Sequence, residues 1–204
     1  MHGLLLIDIQ NDFLPGGSLA VPDGDAVVEV ANRAMPSFDH VVATQDWHPA
    51  DHGSFASQHD GVEVGQVFEL DGLSQVAWPD HCVQNTSGAD FASALDRNQI
   101  DHITRKGTNR YIDSYSGFFD NGHRQQTDLD EHLKSVGVTD LTVMGLATDY
   151  CVRFTVLDSL RLGYSTRVVL AGCRGVNLNR GDVEKAIDEM RTAGAEIIEI
   201  PSPI

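Results

Sequence analysis

The sequence has few cysteines, and their spacing excludes a disulfide-stabilised scaffold. There are three in 204 residues, Cys82, Cys151 and Cys173, and no two of them form a C-x-x-C pair. An odd number of cysteines without that spacing argues against a disulfide framework. Because disulfides are rare in reducing compartments, this cysteine usage predicts a cytoplasmic protein.

Basic residues are also scarce. The 14 lysines and arginines are outnumbered by 30 aspartates and glutamates, so the formal net charge is -16. A surface with this charge repels phosphate backbones and anionic lipids. We therefore expect no nucleic-acid partner and no membrane partner. A neutral or cationic small molecule is the expected ligand class.

Long apolar runs are missing as well. Runs such as residues 4–7 fall far short of the roughly 20 residues that span a bilayer. The first residues, MHGLLLIDIQNDF, lack the basic n-region and the small-residue cleavage site of a signal peptide. These absences favour a soluble globular protein.

Short aliphatic runs alternate with helical patterns along most of the chain, which predicts an α/β fold. Strands are predicted at residues 4–9, 40–44, 102–105, 141–145, 166–170 and 196–200. Helices are predicted at residues 23–35, 89–95, 127–136, 150–162 and 182–192. The alternation indicates one domain (1–204) with a six-stranded, mostly parallel sheet between two helical layers. Ligands of such sheets bind at the carboxyl ends of the strands.

Potential metal ligands follow the second predicted strand. Asp46 and His48 lie two residues apart, so an extended chain places both side chains on one face. His52 and His81 occur in the same long Gly-, Pro- and His-rich segment, residues 45–87. A single loop histidine would be read as solvated, but four such groups together favour a divalent transition metal with open coordination positions.

Three further residues lie at predicted strand ends. Asp8 ends the first strand, where a buried carboxylate is costly unless it is paired, although a polar turn would explain it equally well. Lys106 follows the third strand and would be an ordinary surface residue in isolation. Cys151, in GLATDYCV, falls in the first turn of a helix, where backbone N–H groups favour a thiolate and a developing oxyanion. Cys82 and Cys173 are interpreted as inert buried cysteines.

Taken together, the motifs DIQNDF, QDWHPADHGSF, WPDHCVQ, Lys106-Gly107 and GLATDYCV resemble the bacterial nicotinamidases of the isochorismatase-like cysteine hydrolase superfamily. The resemblance covers residues 3–200 in order and spacing. It implies the isochorismatase-like fold and hydrolysis of nicotinamide, with pyrazinamide as a further substrate, in NAD salvage. It also implies a thioester intermediate on the catalytic cysteine and one divalent metal ion, with zinc preferred over iron or manganese.

The resemblance also assigns roles to single residues. It implies a catalytic triad of Asp8, Lys106 and Cys151, and an oxyanion hole formed by the N–H groups of Ala147 and Cys151, with a cis peptide at Ala147–Thr148. The implied metal ligands are Asp46, His48 and His81, with His52 a ligand in only some members. The implied substrate pocket contains Phe13, Trp78 and Tyr115.

Two other functions are compatible with parts of the sequence. Another amidase, or an isochorismatase of the same fold, is the nearer alternative, although isochorismatases lack the nucleophilic cysteine. A metal-binding or redox-sensing protein would use Cys151 as a reversible switch and would need no aromatic pocket. The sequence leaves open whether the chain forms a homo-oligomer.

Overall fold

A computed structural model describes residues 1–199 of the chain. Within that range the strands are β1 (His2–Ile7), β2 (His40–Asp46), β3 (Val67–Leu70), β4 (Leu73–Val76), β5 (His102–Lys106), β6 (Asp140–Leu146), β7 (Ser165–Arg174) and β8 (Glu196–Ile198). The α-helices are α1 (Ala26–Ala34), α2 (Leu129–Ser135), α3 (Arg153–Arg161) and α4 (Asp182–Ala193). The predicted last strand ran to Ile200, which lies outside the described residues.

Six of these strands form one parallel sheet in the order β5-β2-β1-β6-β7-β8. The predicted three-layer α/β/α architecture is confirmed, and every pairing in this sheet is parallel. The chain first builds the sheet outward from β1 to β2 and β5, then crosses back to place β6 on the other side of β1. This reversal opens a crevice between β1 and β6 at the carboxyl edge, where ligands of such folds bind.

The central strands are apolar because both faces of the sheet are covered. Residues 3–7 of β1 are all fully buried, and β6 is buried from Leu141 onward. Helix α1 packs on β6 and β7, while α3 and α4 pack on each other near β7 and β8. Among residues 1–199, no helix is long and apolar enough to cross a membrane.

Four of the five predicted helices are present as α1 to α4, and the fifth, predicted at residues 89–95, is wrong. The carbonyl of Ala89 accepts hydrogen bonds from the side-chain amides of Gln10 and Gln45, and the N–H of Ala92 donates to the carbonyl of Ile9. These long-range bonds hold the segment as turns, because they occupy the backbone groups that a helix would need.

The start of the predicted helix 150–162 also differs. A π-helical turn, Thr148–Val152, precedes α3. The predicted start of α1 shifts from residue 23 to Ala26, and β7 extends to Arg174, beyond the predicted 170.

The long segment after β2 contains a hairpin that the sequence analysis missed. Strands β3 and β4 pair in antiparallel fashion around Asp71-Gly72, and both turn residues have positive φ, +49° and +81°. Asp-Gly between two alternating runs is a strong signal for a two-residue hairpin turn, so this element was predictable.

Candidate active site

The predicted catalytic and metal-ligating residues converge at the carboxyl edge of four neighbouring strands. Asp8 follows β1, Asp46 ends β2, Lys106 ends β5, and Ala147 follows β6. Asp46 and Lys106 are directly opposite each other in the β2–β5 register. Because these strands are adjacent in the sheet, residues as far apart in sequence as Asp8 and Ala147 meet in one place.

Lys106 lies at the centre of this group and is almost completely buried. Its Nζ is 2.9 Å from Asp8 Oδ2 and 3.0 Å from Asp46 Oδ1, and it donates to the carbonyl of Ser114 at 2.9 Å. The same Nζ is 3.4 Å from Cys151 Sγ. Burial alone would lower the pKa of Lys106, but the carboxylates of Asp46 and Asp8 hold it well above its usual value. Lys106 is therefore a permanent cation.

Asp8 occupies a strained backbone position next to this cation. Its φ is +47°, which turns the chain out of β1. The Thr44 hydroxyl donates to Asp8 Oδ1 at 2.6 Å. Complete burial raises the pKa of Asp8, and the negative charge of Asp46 adds to this, while Lys106 opposes it. A raised pKa suits a carboxylate that takes up and returns a proton.

Asp46 shares the same ammonium group yet behaves oppositely. Burial would raise the pKa of Asp46, but the neighbouring His48 and Lys106 bring it well below its usual value. One carboxylate is thus tuned for proton exchange and the other for constant charge. Such a pair is typical of sites that divide acid–base work from electrostatic work.

Cys151 lies in the π-helical turn, with its side chain almost entirely buried. Burial raises the pKa of its thiol well above the usual value, and the Asp8 carboxylate, which hydrogen-bonds the thiol, raises it further, although Lys106 opposes both. Burial of Cys151 thus opposes the thiolate that its place at a helix start favours, whereas the nearby Lys106 supports it.

Ala147 joins β6 to the π-helical turn, as the oxyanion-hole prediction requires. The cis peptide lies between Leu146 and Ala147, one residue before the position that the resemblance implied.

Two histidines present metal-binding nitrogens towards Asp46. His48 donates from Nδ1 to the carbonyl of Gly107 at 2.8 Å, and His81 donates from Nδ1 to the carbonyl of Pro79 at 2.8 Å. A carbonyl only accepts, so both Nδ1 atoms carry a proton, and both Nε2 atoms are left facing Asp46, where a bound metal ion would take the place of any proton on them. These Nε2 atoms are 3.0 and 3.5 Å from Asp46 Oδ2. One carboxylate and two imidazoles within 4.8 Å of one another fit a divalent transition metal.

Gly107 is required for this arrangement. Its φ is +65°, and a Cβ at this position would lie 2.4 Å from Cε1 of His48. A side chain at residue 107 would therefore displace the histidine. This explains why glycine follows the lysine directly.

His52 belongs to a neighbouring group rather than to the Asp46 cluster. Its ring centre is 4.2 Å from that of His48, and a second potential ligand set comprises His48, His52 and Asp113. Burial lowers the pKa of His52 to about 4, so the ring is neutral. Its Nδ1 accepts from the Ser54 N–H at 3.2 Å, and its Nε2 is buried without a hydrogen-bond partner within residues 1–199.

The predicted substrate residues line one pocket beside Cys151. Phe13, Trp78 and Tyr115 contribute to its walls together with Asp46, His81 and Ala147. The Trp78 indole N–H donates to the Tyr115 hydroxyl at 3.0 Å, which fixes the two rings relative to each other. The pocket thus combines flat apolar surfaces, a thiol and two groups of the potential metal site.

Several contributors to the site escaped the sequence analysis. Tyr150 and Asp113 also line the pocket, and Thr44 holds Asp8 from behind. Thr44 shares a strand face with Asp46 because it lies two residues earlier, so the period of the strand could have identified it. Asp113 lies in an irregular segment where no local pattern marks it.

Chemically, this arrangement can carry out nucleophilic catalysis on a small planar molecule. A thiol lies beside a proton acceptor of raised pKa and a fixed cation, and backbone N–H groups follow a strand end. These are the components of a covalent acyl-transfer site.

Comparison with known proteins agrees with this chemistry. Residues 2–202 match the isochorismatase domain family. The nicotinamidase of Escherichia coli is 55% identical over 200 residues, which cover 96% of this chain and 93% of that protein. The nicotinamidase/pyrazinamidase of Mycobacterium tuberculosis is 37% identical, covering 97% of this chain and 98% of that protein.

Solved structures extend the likeness to three dimensions. A nicotinamidase/pyrazinamidase from Acinetobacter baumannii superposes with a TM-score of 0.94 at 41% identity, over 97% of this chain and 95% of that one. A pyrazinamidase of Pyrococcus horikoshii in complex with zinc gives a TM-score of 0.79 at 35% identity, over 98% of this chain and 99% of that one.

Proposed function

The chain belongs to the isochorismatase family, and from that premise we propose that it is an amidohydrolase converting nicotinamide to nicotinate and ammonia. The observation that carries the proposal is the position of Lys106 Nζ, within 3.4 Å of the thiol of Cys151 and within 3.0 Å of a carboxylate oxygen of both Asp8 and Asp46. One buried cation thereby joins the nucleophile, the proton acceptor and the potential metal ligands.

Substrate binding follows from the pocket. Phe13 and Trp78 offer apolar ring surfaces to a pyridine, and a metal ion held by Asp46, His48 and His81 would supply a Lewis-acidic position for the ring nitrogen. Zinc is the ion we propose, because the donor set suits it and a related pyrazinamidase contains it. Fixing the ring at these points orients the carboxamide towards Cys151, so binding energy is used for positioning.

The acylation step begins from a neutral thiol. Asp8 removes the proton of Cys151 as sulfur attacks the amide carbon, while Lys106, which stays protonated, stabilises the developing thiolate. The N–H groups of Ala147 and Cys151 stabilise the oxyanion. Asp8 then returns the proton to the amide nitrogen, because this nitrogen leaves readily as neutral ammonia and not as the amide anion.

Deacylation uses the same carboxylate. Asp8 accepts a proton from water, the hydroxide attacks the thioester carbon, and the proton returns to Cys151 when the C–S bond breaks. The products are nicotinate and a regenerated thiol. Pyrazinamide, which has the same ring shape and carboxamide, fits this scheme as a second substrate.

The test is release of ammonia from nicotinamide by wild-type protein and by Cys151→Ala. We expect the variant to lose at least ~100-fold in rate, since members of a catalytic triad act as a unit. Its metal content should remain that of the wild type. Cys173→Ala is the matched control, because Cys173 is equally buried in β7 but does not line the pocket.

Wild-type turnover by Cys151→Ala would show that the covalent mechanism is wrong. If the wild-type protein hydrolyses another small amide but not nicotinamide, the proposed substrate is wrong and the covalent mechanism still applies.

A further inference from the structure

Three histidines that the pocket does not use meet at the opposite edge of the sheet. His40 is the first residue of β2, His102 is the first residue of β5, and His132 lies in α2. Strand β2 runs from His40 to Asp46, and at about 3.3 Å per residue its two ends are roughly 20 Å apart. The cluster is therefore separate from the catalytic edge.

Two of these rings point the same nitrogen at each other. Nε2 of His40 is 2.8 Å from Nε2 of His132. On the far side of His40, Nδ1 is 3.3 Å from Asp101 Oδ2, which also accepts the backbone N–H of Val41 at 2.8 Å. A fixed carboxylate at Nδ1 favours the proton there, so Nε2 of His40 accepts a hydrogen bond from Nε2–H of His132, and a metal ion would take the place of that proton. This carboxylate–histidine pairing is the usual support for a metal-binding imidazole.

The second ring is also prepared for coordination. Burial lowers the pKa of His132, and the neighbouring His102 and His40 lower it further, so the ring is neutral at neutral pH. His102 stacks on it with ring centres 3.7 Å apart and planes 10° from parallel. His102 in turn donates from Nε2 to Asp128 Oδ2 at 3.0 Å. The stack limits rotation of His132, and the nearby carboxylates favour a cation.

We propose that His40 and His132 bind a divalent transition-metal ion through their Nε2 atoms, at a second site independent of the pocket. Imidazole nitrogens select zinc, copper and nickel over magnesium or calcium. Two nitrogens bound at about 2.0–2.1 Å to a tetrahedral ion lie roughly 3.3 Å apart. To reach that geometry the rings need to separate by about half an ångström, and His40 needs to tilt so that the two lone pairs converge on the ion. Both are only partly buried, so water can complete the coordination shell.

The experiment is a zinc titration of the folded protein, followed by calorimetry and by metal analysis after gel filtration. We expect His132→Gln, and separately His40→Gln, to bind one zinc equivalent fewer than the wild type. Asp101→Asn should keep the equivalent but weaken its binding by about 10- to 100-fold, the usual effect of losing such a supporting carboxylate. Hydrolysis of nicotinamide should be unchanged in all three variants.

The matched control is His2→Gln. His2 lies at the same edge of the sheet, but its Nε2 faces the hydroxyl of Thr142 at 2.9 Å, so its loss should leave zinc uptake unchanged. The measured quantity is the difference in bound zinc between the wild type and each variant, and we expect one equivalent whether or not the pocket also binds zinc. Equal zinc uptake by the wild type and both glutamine variants would overturn the proposal.

Discussion

At the scale of single residues, the site depends on two carboxylates that share one ammonium group and yet differ in pKa. Asp46 has imidazole neighbours that lower its pKa, whereas Asp8 has a hydroxyl and a thiol beside it, and its complete burial raises its pKa. The neighbours of each carboxylate, and not its position in the chain, therefore decide the direction in which its pKa shifts. The hydroxyl of Thr44 therefore deserves a direct test, because it is the neutral group that tunes Asp8.

Thr44→Val removes this hydroxyl while keeping the shape of the side chain. A hydrogen bond to a charged group contributes about 1.5–3 kcal/mol, so kcat should fall by about tenfold or more with little change in KM. The Thr44 hydrogen bond lowers the pKa of Asp8, so its loss raises that pKa, and the acid limb of the pH–rate profile should move to higher pH. Steady-state kinetics across the acid range measure both effects.

Thr44→Ser keeps the hydroxyl and should restore the wild-type profile. If Thr44→Val lowers the rate equally at every pH, Thr44 acts through packing alone and does not tune Asp8.

At the scale of elements, the central pair β1–β6 forms the floor of the crevice and requires very close backbone contact. Gly145 in β6 has φ of +131°, and a Cβ there would lie 2.1 Å from the carbonyl oxygen of Ile7. The same position interrupts the register between β6 and β7. The register shifts there and pairing then continues through Leu146, just before the chain turns into the segment that contains Cys151.

Gly145→Ala should therefore destabilise the protein by at least about 3 kcal/mol, since it combines backbone strain with a clash against main chain. Gly137→Ala is the matched control. Its φ of +79° is also left-handed, but a Cβ there meets no atom within 4 Å, so only about 1–2 kcal/mol of strain is expected. Urea unfolding of both variants measures the difference. An equal decrease in the free energy of unfolding for both variants would show that the close β1–β6 backbone contact does not make glycine necessary at residue 145.

The same scale shows what the sequence could predict. Strands with continuous aliphatic character, such as β1, were identifiable because burial on both faces leaves a plain apolar run. Asp8, Asp46 and Lys106 are identifiable as candidates because they lie at the ends of strands, and Cys151 because it lies in the first helical turn after one. The rule for parallel sheets then placed them together before any coordinates were known.

Other features were decided by distant contacts. The segment 89–95 has helical composition, yet side-chain amides from two other segments bind the carbonyl of Ala89. Likewise, the burial of Cys151, which raises the pKa of its thiol, is invisible in the local sequence. Local patterns report propensity, whereas burial and long-range hydrogen bonds are properties of the assembled fold.

At the scale of the whole molecule, the potential metal ligands bring the end of a long segment between β2 and β5 back to the edge of the sheet. Asp46 and His48 lie at the end of β2, whereas His81 follows the β3–β4 hairpin. An ion held by all three would close a loop of more than 30 residues. Because the three ligands come together only in the folded chain, such an ion would stabilise the native state by mass action.

Removal of this ion by a chelator should raise the KM for nicotinamide strongly, because the ring nitrogen loses its partner, and should also lower the Tm. Addition of zinc should restore both values. Kinetics and thermal unfolding on the same metal-free sample provide the measurement. An unchanged KM in fully metal-free protein would rule out a role for the metal in substrate binding.

The order in which the chain contributes to its site has a consequence for folding kinetics. Asp8 follows β1 and Cys151 lies in the turn after β6, more than 140 residues later, and β6 is synthesised only after β2 and β5. Closing contacts of such long range is slow. A chain synthesised only as far as β5 contains Asp8 and Lys106 but lacks Cys151. We therefore expect activity to appear only after β6 has joined the sheet and brought Cys151 to the other two residues.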